Sequence, residues 1–236
     1  MKLNIGDNIA NLRKQIKDAC GRVGRDPSEI VLVAVSKTVG KTEIEEAIKF
    51  GCRDFGENRV ADFEEKYEYF DGGVNFHMIG HLQTNKVKNV VGRAKLIHSV
   101  DSPRLLEEIE KRAAAIGIVQ DILIQVDVSG EESKFGASEK EMMEMMEQNE
   151  ENAHVKIRGL MTMAPVADDP DEVRWVFRRL RDVFIDTRRK TFYNTVMDYT
   201  SMGMSNDFAV AIEEGADIIR VGSRIFHEST KDEITI

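Results

Sequence analysis

The chain has 236 residues, 42% of them hydrophobic, with a formal net charge of −9. That supplies a sizeable core for one large domain or two small ones, and argues against broad binding to nucleic acid or anionic membranes. Two cysteines, Cys20 and Cys52, neither in a CxxC pair, suit a reducing cytoplasm, and no apolar run reads as a signal peptide or approaches a membrane span of roughly 20 residues.

Ile9, Leu12, Ile16 and Ala19 recur at helical spacing and predict an opening helix. Ile30–Val35 follows, an unbroken and mostly β-branched run that reads as a strand buried on both faces. It ends on Ser36 and Lys37, after which "KTEIEEAIKFG" predicts a helix closed by Gly51. "RDFGEN" is a short strand with its exit loop, and "RVADFEEKYEYF" a helix. "NFHMIGHLQ" is a strand and loop, and "TNKVKNVVGRA" a helix. "KLIHSVDSP" supplies the next strand, and Pro103 suits the first position of the following helix. "DILIQVDVSG" alternates as a strand does. The acidic, Met-rich Glu139–Asn152 reads as an amphipathic core-packing helix, not a metal or partner box. "VKIRGLMTMAP" is a strand. "DPDEVRWVFRRLRDVFIDTRRK" is a long helix whose Arg178, Arg179 and Arg181 share their surface with acids. "NTVMDYTSMGMSND" holds a strand and loop, "DFAVAIEEGA" a helix, and "DIIRVGSRIF" the last strand.

Eight strands separated by helices imply βαβ units and a parallel sheet. The expected fold class is α/β: a single (β/α)8 TIM-type barrel, residues 1–236, with an extra N-terminal helix. An open doubly wound sheet is the alternative.

A barrel works at the C-terminal ends of its strands. The exits after strands seven and eight, a common phosphate position, carry "SMGMSND" and "RVGSRIF". Ser201, Gly203, and Ser205 as a helix N-cap are candidates in the first, and the N–H groups of Gly222 and Ser223 in the second. Both loops also read as ordinary turns. Lys37, at the end of strand one, lies on a neighbouring part of the ring. It is either a solvated strand end or an amine that forms a Schiff base, with burial favouring its neutral form. Arg220 interrupts an apolar strand on the same face as Gly222. A charge there needs a partner: a structural ion pair, or the ring nitrogen of a ligand.

The residues match a family. "LVAVSKT", "DFGEN", "FHMIGHLQTNK", "SVDS", "RGLMTMAP", "SMGMSNDFAVAI" and "IRVGSRIF" resemble the pyridoxal-phosphate homeostasis proteins (the YggS/PROSC family) from the opening helix to about Phe226. The resemblance implies a barrel like the N-terminal domain of alanine racemase. It implies a protein that binds pyridoxal 5'-phosphate (PLP) without efficient turnover, and PLP-dependent apo-enzymes as recipients. By motif, Lys37 would form the aldimine and Arg220 would face the pyridine nitrogen. Gly222 and Ser223, with Ser201 and Ser205, would hold the phosphate, and Asn58 would lie near the ring. No catalytic residue and no metal site is expected. Where relatives have Gly and a charged segment after "RIF", this chain reads "HEST". The expected protein is cytoplasmic and monomeric or weakly associating. An amino-acid racemase, with Lys37 as one base, and a Schiff-base aldolase of a phosphorylated substrate are the enzyme alternatives.

Other constellations are weaker. His77 and His81 straddle a strand and its exit, and the glutamate of HExxH is missing, so His77 reads as a satisfied core histidine. Cys52 lacks an adjacent base. No GxGxxG or Walker sequence occurs.

Overall fold

Eight parallel strands close on themselves in chain order, each hydrogen-bonded to the next and the first to the last. The computed structural model describes residues 4–130 and 136–227. The strands are β1 Val31–Val35, β2 Asp54–Glu57, β3 Asn75–Met78, β4 Leu96–Val100, β5 Gln120–Gln125, β6 Val155–Met161, β7 Thr195–Ser201 and β8 Ile218–Val221. Helix α1, Ile5–Arg22, precedes them. Between them run α2 Lys41–Lys49, α3 Val60–Phe70, α4 Pro103–Ile116, α5 Glu139–Gln148, α6 Arg174–Arg188 and α7 Phe208–Glu213, and α8 Ser223–Phe226 follows. The barrel expected from the alternation is the fold observed, and the open sheet is excluded by the pairing of β1 with β8. No described helix is long and apolar enough to cross a membrane.

Local chemistry explains most boundaries. The Asn4 side chain accepts the Asp7 N–H and starts α1, whose Ile5, Ile9, Leu12, Ile16 and Ala19 are buried. Pro103 occupies the first turn of α4, and Gly117 ends that helix at φ 68°. Met142, Met145 and Met146 form the buried face of α5.

Four expectations need correction. "DIIRVGSRIF" is a strand only over Ile218–Val221, and its "SRIF" forms the short helix α8. "TNKVKNVVGRA" forms only a 3-10 helix, Thr84–Asn89; its β-branched valines and its asparagines are poor α-helix formers. The long sixth helix begins with a separate 3-10 turn at Pro170–Val173. Ser205 does not cap α7, which starts after Asp207; the Asp207 carboxylate instead accepts the Met204 N–H and holds the loop.

Side-chain parity along the strands separates two layers. Phe55 and Phe76 point outward and pack on each other, and Phe76 packs on Phe63 of α3. Phe63 is fully buried, and its truncation to Ala costs about 3–5 kcal/mol. Inside the barrel, Val33, Leu96, Leu123, Met161 and Ile218 form a separate apolar cluster. His77, His98, Ser201 and Arg220 also point inward, are buried, and lie beneath the site.

Candidate functional site

A cavity of about 390 Å³ opens where the strands end, lined together by Lys37, Asn58, Ser205, Arg220, Gly222 and Ser223. Met163 and Pro165 add an apolar wall, and Val166 on the same loop is 96% exposed.

Lys37 emerges from a strand end clamped from behind. Ser36 N–H donates to the Gly56 carbonyl at 3.0 Å, and Ser36 Oγ donates to Glu57 Oε1 at 2.6 Å. Lys66 Nζ, from α3, donates to Glu57 Oε1 and to the Ser36 carbonyl, both at 2.7 Å. All three side chains are buried. Burial pushes the Glu57 carboxyl above its ordinary range, and the hydrogen bonds from Lys66 and Ser36 offset part of this. With Ser36 turned toward the helices, alternation turns Lys37 toward the cavity. Lys37 itself is exposed, so the burial expected of it from sequence is absent.

Two loops face Lys37. In the first, Gly203 has φ 90°, and a Cβ there would fall 2.6 Å from the Ala211 Cβ. The Gly203 carbonyl accepts the Arg220 N–H at 3.0 Å, which aligns the loop with β8. Gly222 packs so tightly on β1 that a Cβ would lie 2.9 Å from the Val35 carbonyl oxygen. Its N–H donates to Ser205 Oγ at 3.4 Å and ties the two loops together. Ser223 opens α8, where the first N–H groups have no intrahelical acceptor. Hydroxyl and N–H donors converging on one concavity suit an anion.

Arg220 is buried beneath these loops. Nη1 donates to Ser201 Oγ at 2.6 Å and Nη2 to the Thr162 carbonyl at 2.9 Å. Among the described residues no carboxylate forms an ion pair with it, so the structural ion pair considered from sequence is not its partner. Burial pulls the guanidinium down to about 10, with Asp207 offsetting a part.

Ser201 is not where sequence reasoning expected it. It is fully buried in β7 and does not line the cavity; its Oγ bonds Arg220 and, at 2.9 Å, His98 Nδ1. Its hydroxyl faces Arg220 and His98, not the cavity. Asn58 does line the cavity, and its Oδ1 is buried without a partner.

His77 is the satisfied core histidine expected, bonded to Asp54 and His98. His81 turns to Asp101 at 3.2 Å, so the two share no ligand position. No metal-binding group occurs among the described residues. Sequence reasoning missed His98, Glu57 and Lys66. The signal for His98 was available: like Arg220, it interrupts an apolar strand. Of the divergent "HEST", His227 lines the cavity and bonds Thr38 at 3.4 Å, while Glu228–Thr230 lie outside the described residues.

With this geometry in hand, comparison with known proteins is specific. The family defined by the N-terminal domain of alanine racemase matches residues 8–230. PipY of Synechococcus elongatus, solved with PLP bound, superposes with a TM-score of 0.83 at 31% identity, over 94% of this chain and 100% of that one. D-threonine aldolase from Filomicrobium marinum, at 16% identity and a TM-score of 0.74, covers 95% of this chain and 60% of its own, and shares the fold alone. The class is therefore that of alanine racemase N-terminal barrels. The pyridoxal phosphate homeostasis protein of Aquifex aeolicus is 44% identical over 96% of this chain and 99% of its own length. That of Escherichia coli is 35% identical over 94% and 96%. The chain belongs to the pyridoxal phosphate homeostasis protein family.

Proposed function

We propose that this chain binds PLP in the cavity at the strand ends, and stores or hands on the cofactor without efficient turnover of a substrate. One observation carries the reading: Lys37 shares a single cavity with the donors of Ser205, Gly222 and Ser223. The residues fit such a ligand. The backbone at Gly222 is bare where a Cβ would clash, Asn58 Oδ1 is buried and unpartnered, and Arg220 has N–H groups beyond the two already engaged.

When bound, PLP supplies an aldehyde that condenses reversibly with a primary amine. In this reading Lys37 presents that amine. Ser205, Gly222 and Ser223 hold the phosphate, and Asn58 accepts from the ring side. Arg220 donates to the ring nitrogen. A guanidinium near 10 still keeps its proton at neutral pH, so the nitrogen stays unprotonated and the ring is a weak electron sink. That favours carriage over chemistry that needs a strong sink. The reading extends to a cytoplasmic protein, monomeric or weakly associating, whose recipients are apo-enzymes that use the same cofactor.

The test is an absorbance titration of purified protein with PLP. A saturable yellow band at one equivalent is expected. Protein that stays colourless and takes up no PLP would overturn the reading and favour a Schiff-base aldolase.

A further inference from the structure

A line of hydrogen bonds crosses the barrel beneath the cavity. Asp54 of β2, His77 of β3, His98 of β4, Ser201 of β7 and Arg220 of β8 each contribute one side chain. Asp54 Oδ1 lies 3.1 Å from His77 Nε2, and His77 Nδ1 lies 2.9 Å from His98 Nε2. His98 Nδ1 lies 2.9 Å from Ser201 Oγ, which accepts from Arg220 Nη1 at 2.6 Å. His77, His98, Ser201 and Arg220 are buried. The Asp54 side chain is 24% exposed, at the strand end remote from the cavity.

For two neutral rings, the carboxylate end fixes the direction of every bond. A guanidinium only donates and a carboxylate only accepts. Starting from Asp54, His77 carries its proton on Nε2 and accepts at Nδ1; His98 then donates from Nε2 and accepts at Nδ1. Starting from Arg220, the Ser201 oxygen accepts from the guanidinium, which leaves its hydroxyl free to donate to His98 Nδ1. Both readings meet without conflict, with two neutral rings between opposite charges. Burial, together with His77 and Arg220, holds His98 well below the usual histidine value. Burial pushes Asp54 up, but hydrogen bonds from His77 and Asn75 outweigh it and keep the carboxyl below its usual range.

We propose that this directional relay positions Arg220 and sets its hydrogen-bond donation into the cavity, with Asp54 as the remote negative end. A buried cation is costly without a counter-charge, and aligned hydrogen bonds polarise one another. Asp54, His77, His98 and Ser201 are thus positioning residues. The proposal rests on the reading that Arg220 meets the ring nitrogen of PLP.

Two measurements test it. Nitrogen-15 NMR of the cofactor-free protein at neutral pH should find both His77 and His98 neutral with the proton on Nε2. A proton on Nδ1 of either ring, or a charged ring, overturns the relay whether or not PLP binds. The second compares affinity for PLP with that for its 1-deaza analogue, in which C–H replaces the ring nitrogen. Asp54→Asn keeps the shape and an acceptor but removes the charge. It should weaken PLP about three- to tenfold and leave the analogue unchanged, the scale of a modulated charged hydrogen bond. His98→Leu should abolish the preference for PLP. Equal weakening of both ligands, or no change in either, overturns the proposal. If His98→Leu fails to fold, Asp54→Asn decides alone. Failure of the wild-type protein to bind PLP would instead count against the functional reading, with the tautomers still deciding the relay.

Discussion

Ser36 and Glu57 are joined by a 2.6 Å hydrogen bond in the layer between sheet and α3, one residue before the lysine that lines the cavity. Lys66 completes the pair from above. Lys66→Met should destabilise the fold by about 3–5 kcal/mol, because Glu57 is left as an uncompensated buried charge. The pH dependence follows from the direction of the shift. The folded Glu57 carboxyl is raised, and without Lys66 it rises further. A carboxyl raised on folding favours the folded state below its unfolded value and costs stability as pH rises through its folded value. The deficit of the variant should therefore be larger near about pH 8 than near about pH 5. Thermal melts of both proteins at the two pH values check this, and a pH-independent deficit contradicts it.

Borohydride reduction of PLP-loaded protein, followed by peptide mass mapping, should find the cofactor on the peptide containing Lys37. Lys37→Ala should remove both the absorbance band and the label. Label on another lysine, with the band intact in Lys37→Ala, would move the site elsewhere.

The two serines of the cavity and the one beneath it should behave differently. Ser205→Ala and Ser223→Ala should each weaken PLP by about 1–2 kcal/mol, the scale of a lost hydrogen bond to a charged group, and barely affect pyridoxal. Ser201→Ala acts through Arg220 and should weaken PLP and pyridoxal alike. Titrations of the three variants with both ligands decide. A phosphate-selective loss in Ser201→Ala would restore the role first expected of it.

Racemisation needs a second proton-handling group opposite Lys37. None of the four tyrosines lines the cavity; His227 does, at its rim and paired with Thr38. Tyr67 and Tyr69 belong to α3, Tyr193 is 83% exposed before β7, and Tyr199 lies within β7 beside Arg158. A positioned acid or base contributes about 10²–10⁴-fold. Incubation of the PLP-loaded protein with L-alanine, followed by chiral chromatography, should show turnover well below about 1 s⁻¹. Faster exchange would promote the racemase reading.

Legibility from sequence followed the range of each interaction. The strand run ending at Lys37, the Pro103 start and the Gly51 end are local signals, and they are where expected. The convergence of Lys37 with Gly222 and Ser223 was readable because a closed ring makes β1 and β8 neighbours. Ser201 was misread because its partner is set by parity: β7 runs to Ser201, so its hydroxyl turns onto Arg220 while Ser205, beyond the strand, reaches the cavity. Lys66 was invisible because an α-helix gives no sign that one of its lysines will meet a buried glutamate nine residues earlier.

Asn8 of α1 donates to the Ile225 carbonyl across a separation of 217 residues, and β1 finds its second neighbour only in β8. During synthesis, the first strand therefore waits with one open edge, and the first helix waits without α7 and α8, on which it packs. Contacts of such long range form last and slowly. Residues through Ser223 must leave the ribosome before Lys37 and Ser223 can face one another, so the cavity between them is completed only after β8 has been made. Until then, a nascent chain carrying the exposed face of Ile5, Ile9 and Leu12 is a natural client for chaperones.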